Sequence, residues 1–216
     1  MRKLLIVVLF VTVVHSAQAL PFGVAVKAGT LGVGAEMNLG LSSNFSLRVG
    51  MNALSASKTF DFDNADADVE FNLESFHMLL DWYPAAGGFR FSGGLIINNN
   101  NIRITSAPAP TETIEFNSIN FSLTRFDGKV EFDKVGAYFG LGYGNATARD
   151  CRFHFNCDFG VMFHGTPEFT ATAGAFSPAS QEALEEALDK EIDSYNEDLK
   201  AFKILPVVSA GISFAF

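Results

Sequence analysis

From residue 20 onward, apolar and polar positions alternate along most of the chain, which is the period of a strand with one apolar face. Phe153, Phe155, Cys157, Phe159, Val161 and Phe163 share one face of such a strand, while Arg152, His154, Asn156, Asp158, Gly160 and Met162 share the other. The same alternation runs through Phe45, Leu47, Val49 and Met51, through Phe89 to Ile97, through Val135 to Tyr143, and through Ile204 to Phe216. The second face carries mostly Gly, Ser and Asn with sparse charges, whereas the outer face of a soluble sandwich usually carries many. A small closed barrel explains this: the narrow interior favours glycine and small polar groups, and the Phe-rich face meets lipid.

Long and short connections alternate as in outer-membrane barrels. Short ones lie at Ser42 to Asn44, Ala85 to Gly88 and Asn145 to Asp150; long ones lie at Asp61 to Asp66, Ser106 to Gly128 and Thr172 to Lys203. Between them fall six predicted strands, at 45–60, 67–83, 89–105, 129–144, 151–171 and 203–216. In residues 20–41 the apolar parity shifts at Thr30/Leu31, which predicts two strands joined near Gly29 to Gly32. A single bulged strand is the alternative. The hairpin brings the total to eight, and the fold class is all-β, an eight-stranded antiparallel transmembrane β-barrel.

The stretch "VKAGTLGVGAEMNLG" (residues 26–40) superficially resembles a phosphate loop. Such a loop opens a helix in a parallel sheet, but Leu31 to Leu41 keeps strand parity and no βαβ unit follows. The glycines therefore face the narrow lumen, and Glu36 there needs a basic partner, Arg48 or Lys27. Residues 177–202 switch to helical period: Ser177 and Pro178 suit a helix start, and Leu184, Leu188, Ile192, Tyr195, Leu199 and Phe202 form an apolar stripe among many acids. This amphipathic α-helix, placed extracellularly, is expected to rest on the barrel mouth, on the loop 106–128 or on a partner. That loop has the pattern of a small hairpin turning near Asn117-Ser118.

Composition narrows the partners. The 216 residues include 23 Phe and 19 Gly and carry 15 Lys and Arg against 24 Asp and Glu, a formal net charge of −9. Nucleic acid, which needs a basic surface, is excluded as an expected partner. Met1 to Ala19 reads as a signal peptide, with Arg2 and Lys3 before the apolar Leu4 to Val14 and a small-residue cleavage site at Ala17 to Ala19. That apolar run is well short of the roughly 20 residues of a membrane helix. Residues 20–216 are then the exported barrel, with cleavage expected after Ala19.

The segments "VKAGTLGVGAEMNLGLSSNFSLRVGMN", "LLDWYP" leading to "FRFSGGLIINNN", "GKVEFDKVGAYFGLGYGN", "FGVMFHGTPEF" and the final "LPVVSAGISFAF" resemble the small OmpA-like outer-membrane barrels of Gram-negative bacteria, and more narrowly the CarO-type porin-like proteins. The resemblance implies a bacterial outer-membrane location, contact with membrane lipid and lipopolysaccharide, channel activity and no catalytic residues. Phe216, with Phe214 and Ile212 at alternate positions, matches the closing-strand signal read by the outer-membrane assembly machinery.

The inward charges expected to line or block the lumen are Lys27, Glu36, Arg48, His77, Asp81, Arg90, Lys134, Arg152, His154 and Asp158. Asp61, Asp63, Asp66 and Asp68 offer oxygen ligands for calcium but lack the spacing and glycine of a calcium loop. No cofactor motif is present. His77 with Asp81, and His154 with Asp158, are each four apart on a strand, about 13 Å, which is too far for a catalytic pair. Cys151 and Cys157, about 20 Å apart if extended, cannot form a disulfide there. The expected function is a non-enzymatic outer-membrane barrel acting as a narrow channel for small solutes. The alternatives are a sealed structural or adhesive barrel displaying its loops, and a lipid-modifying outer-membrane enzyme.

Overall fold

The computed structural model describes residues 20–62, 65–85, 87–107, 113–116, 119–148 and 150–216. The segment read as a signal peptide lies outside them, as do Asp63 and the turn at 117–118. The strands are β1 (Phe22–Gly29), β2 (Gly32–Gly40), β3 (Phe45–Phe62), β4 (Ala65–Trp82), β5 (Phe89–Asn98), β6 (Asn101–Ser106), β7 (Ile114–Phe116), β8 (Ile119–Phe121), β9 (Leu123–Glu131), β10 (Val135–Tyr143), β11 (Phe153–Phe163), β12 (Glu168–Ala175) and β13 (Ile204–Ala215). One helix, α1, spans Pro178–Leu199.

Eight strands close on themselves in the order β1-β2-β3-β4-β5-β10-β11-β13, every neighbour antiparallel. The last strand meets the first with Val24 opposite Phe214 and Lys27 opposite Gly211. Residues 20–41 form the hairpin rather than one bulged strand. Gly29 pairs with Gly32 across the two-residue turn Thr30-Leu31, and Gly32 has φ +100°, a conformation that glycine adopts without steric cost. Leu31 was expected on the lipid side but turns into the lumen and is buried. In the 61–66 segment expected as a loop, residues 61–62 and 65–66 instead continue β3 and β4, with Asp61 opposite Asp66 in register.

Outward residues form an exposed apolar belt that includes Val26, Val33, Met51, Met78, Leu95, Phe139, Phe159 and Ile212. In water so large an apolar surface would drive association; in a bilayer it is the solvated surface. Aromatic rings gather at the end where the chain termini meet. Phe22 stacks on Phe216 with centroids 4.5 Å apart, Phe214 meets Phe216 at 4.9 Å and Phe153 at 5.2 Å, and Trp82 stacks on Phe91 at 5.5 Å. These amphipathic or bulky rings mark the membrane–water boundary.

Three predicted strands, 89–105, 129–144 and 151–171, are each broken in two at the opposite rim. The first bends at the run Asn98 to Asn101, where Asn100 Oδ1 accepts from Glu74 N at 2.8 Å in place of a ladder partner. The second bends at Phe132 to Lys134. The third bends at His164 to Pro167, where Gly165 has φ +76° and the His164 ring meets Phe132 edge-on at 5.2 Å. Beyond these corners β6 pairs with the outer half of β4, β9 with β6, and β12 with β9, so a sheet rises from one side of the barrel.

The sidedness of β3 and β4 inverts as they leave the membrane. Below, Met51 and Phe76 point outward and Asn52 and Ser75 inward; above, Ser55, Ser57, Asp68 and Glu70 point outward, and Leu54, Phe60, Val69 and Phe71 take the lumen-side face. The helix α1 sits on β12 and the β7–β8 pair, with Leu184, Ala187 and Leu188 packed against Phe116, Phe121 and Leu123. The β7–β8 pair supplies the two phenylalanines. Gln181 and Asn196 of α1 hydrogen-bond the free backbone edge of β12 at Ala173, Ala175 and Phe169, covering an edge that would otherwise invite strand pairing.

The inversion locates the membrane boundary. Phe139→Arg, in the outward belt, is expected to lower unfolding free energy in lipid vesicles by about 2–4 kcal/mol, whereas Ser57→Arg, outward but above the boundary, costs less than about 0.5 kcal/mol. Urea titration followed by Trp82 fluorescence measures both, and equal costs would contradict the boundary.

Candidate functional site

The lumen is occupied by two layers of inward side chains. In the polar layer Arg48, from β3, reaches three carboxylates: Asp158 on β11 at 2.9 Å, Asp81 on β4 at 3.0 Å and Glu36 on β2 at 3.7 Å. Arg90 from β5 meets Asp158 at 2.8 Å, approaches Asp81 to 3.9 Å and donates to the carbonyl of Gly144. Lys27 on β1 meets Glu36 at 2.8 Å, and His77 Nε2 lies 3.2 Å from the same carboxylate. Ser92 donates to Asp81 at 2.6 Å and receives Arg48 Nη2 at 3.0 Å. Three cations face three carboxylates in one cluster, and the side chain of Arg48 retains only 1% of its exposure.

Alternation places these groups in the lumen, and barrel closure brings together residues up to 110 positions apart. Burying an ion is costly unless partners replace its water; here each carboxylate is shared between at least two basic groups. Of the ten inward charges expected from sequence, seven join this cluster. Lys134 is exposed at the corner between β9 and β10, and Arg152 is exposed just before β11. His154 is half-buried at the terminal rim, its Nε2 2.9 Å from the carbonyl of Cys151 and 3.8 Å from Asp150. These three lie at rims because each stands at or beyond the end of its barrel strand.

The second layer was not anticipated. Leu31, Leu79, Ile96, Tyr138, Met162 and Val207 bury one another in the lumen. Tyr138 lies across its own barrel wall: a Cβ added at Gly140 or Gly160 would come within 2.3 Å or 2.5 Å of its hydroxyl oxygen. The two glycines thus make the space in which the ring lies. The readable signal is a run of apolar residues on both faces at one level, in Leu79-Leu80, Ile96-Ile97, Met162-Phe163 and Val207-Val208.

The remaining candidates behave differently. Asp68 accepts from Thr59 Oγ1 at 2.6 Å and the carbonyl of Asp66 receives Ser106 Oγ, while no cluster with metal-ligand geometry occurs among the described residues. Cys151 and Cys157 are both free thiols. His77 and Asp81 do not meet; each binds other members of the cluster.

This architecture defines a class: a transmembrane antiparallel barrel of eight strands, filled by its own side chains and bearing one helix beyond the rim opposite the chain termini. Two solved structures share the fold. Acinetobacter baumannii CarO2 is 17% identical, with 93% of this chain and all of that chain aligned at a TM-score of 0.62. CarO of the same organism is 20% identical over the same shares, at 0.61. The fold is therefore that of the CarO-type barrels. No protein-family model matches the sequence, and no curated protein does.

Asp158→Asn removes a charge partner from both Arg48 and Arg90 and is expected to cost about 3–5 kcal/mol of stability in vesicles. Lys27→Met, at the edge of the cluster with 13% of its side chain exposed, is expected to cost less than half as much, because Glu36 keeps Arg48 and His77. Equal losses in urea unfolding would contradict the ordering.

Proposed function

We propose that this chain is an exported, non-enzymatic protein of the bacterial outer membrane whose barrel is closed at rest and whose working surface is the extracellular sheet and helix. The observation that carries this reading is the double filling of the lumen. A neutral cluster of three cations and three carboxylates lies beside a buried apolar layer, and water and ions would have to displace both. The module outside the membrane is large for a simple connection, with its own apolar core of Phe116, Phe121, Leu123, Leu184 and Leu188. The histidines contact Glu36, the Cys151 carbonyl and the Phe132 ring, a set of partners that supports a non-catalytic role.

A narrow channel for small solutes is the second reading, and one observation favours it. The closure is made by side chains alone, with Asp81 and Asp158 each shared by Arg48 and Arg90, so partners can be exchanged without unfolding a strand. Under either reading the closing strand with Phe214 and Phe216 is proposed to be what the assembly machinery recognises, and lipopolysaccharide to surround the outer rim. Signal cleavage after Ala19 completes the proposal.

Planar-bilayer recording separates the two readings. The purified barrel is expected to show no discrete openings at moderate voltage, while Arg48→Ser with Tyr138→Ala, which thins both layers, is expected to conduct if it remains folded by the heat-dependent shift of its gel mobility. Frequent unitary openings of the unaltered protein would overturn the closed reading in favour of the channel.

A further inference from the structure

Burial falls along the helix α1, from Leu184 and Leu188 in its first half to the exposed Tyr195 in its second. Beneath its first half, β12 presents Ala171, Ala173 and Ala175, which pack with Leu184, Ala187 and Leu188. Beneath its second half stands Phe169, which meets Tyr195 edge-on at 5.7 Å. The side-chain amides of Gln181 and Asn196 tie the two halves to β12. Between the helix and the sheet, beside these contacts, lies an open cleft of about 440 Å³.

Ile104 and Val130 form its floor, Phe116 and Phe126 one wall, and Ile192 and Leu199 the helix side. This volume falls within the range of small-molecule sites, which are mostly apolar with a few placed polar groups. The charged groups that line this cleft are both acids, Glu115 on the hairpin and Glu191 on the helix. Glu115 has no cation within ion-pair distance among the described residues. Burial, the neighbouring Glu191 carboxylate and a side-chain hydrogen bond with it push the Tyr195 phenol up.

We propose that this cleft binds a small amphiphile with an apolar body and a protonated amine, the body between α1 and the sheet and the amine toward Glu115 and Glu191. The apolar walls select the body by burial, and the two carboxylates select the charge by pairing and by repelling anions. This rests on the extracellular module being the working surface. Conductance tests that reading and ligand binding tests this one, so each can fail without the other.

The test uses the full mature barrel in nanodiscs and water-soluble probes, 4-phenylbutylamine against the neutral 4-phenylbutanol, read by saturation-transfer NMR titration. The amine is expected to bind saturably and about tenfold more tightly than the alcohol, the effect of one charge-assisted contact. Glu115→Gln with Glu191→Gln is expected to bring the amine down to the affinity of the alcohol, and Ile192→Trp, which fills the cleft, to abolish saturable binding of both. Retained heat-dependent gel mobility and protease resistance of α1 certify that each variant is folded. Should Ile192→Trp fail that check, the surface double variant decides alone. A signal that never saturates, equal affinity for amine and alcohol, or an amine affinity unchanged by either variant would overturn the proposal.

Discussion

Everything in this molecule follows from the need to pair backbone N–H and C=O groups where no water can reach them. A sheet in hydrocarbon has no tolerable edge, so β13 must find β1, and the register of that seam, Val24 on Phe214 and Lys27 on Gly211, sets how the strands tilt. Closing after only eight strands makes the lumen narrow. Narrowness then dictates its contents: glycines wherever a long side chain crosses, as beneath Tyr138, and ion clusters compact enough that each carboxylate serves several bases.

The same constraint explains the change of character at the outer rim. Once β3 and β4 leave the bilayer, water can satisfy their outward groups, and the apolar side moves to the inside of the curve, from Phe76 and Met51 to Phe71 and Leu54. The strands that do not continue directly must turn corners, and they do so with residues that replace lost ladder bonds or relax the backbone, such as Asn100 and Gly165. The free edge this creates at β12 is covered by amide side chains of the helix. The module is thus a consequence of letting the wall outgrow the membrane on one side.

Much of this was legible in the order of residues, because period two marks each strand and the parity shift at Thr30/Leu31 marks the first turn. The fold class, the eight strands of the barrel and the part of the α1 stripe at Leu184, Leu188 and Ile192 could be read this way, whereas Tyr195 and Phe202 of that stripe are exposed. What could not be read were the corners: the four asparagines Asn98 to Asn101 interrupt the alternation, but strand pattern resumes at Ile102 and Ile104, so both sides of such a bend read as one strand. The inner apolar layer was hidden for a related reason: a binary pattern assigns one face to lipid and the other to polar contents, so Leu79, Ile96, Met162 and Val207 register as noise. The charges were identifiable as inward, but only closure could say that Arg48, rather than Lys134 or Arg152, is their centre.

The two layers in the lumen act on each other. An ion cluster in an open, wet barrel gains little, because water screens each pair; under an apolar layer the same pairs sit in a poorer dielectric and hold more firmly. Conversely, the apolar layer alone would leave Asp81 and Asp158 needing water, which would draw solvent into the lumen. Removing Arg48 would therefore do more than break ion pairs. It would leave three carboxylates with only Arg90 and Lys27 as full cations, and the uncompensated charge would be relieved most readily by hydrating the lumen from the terminal rim toward Tyr138. The filling of this lumen and the stability of the barrel consequently depend on the same guanidinium.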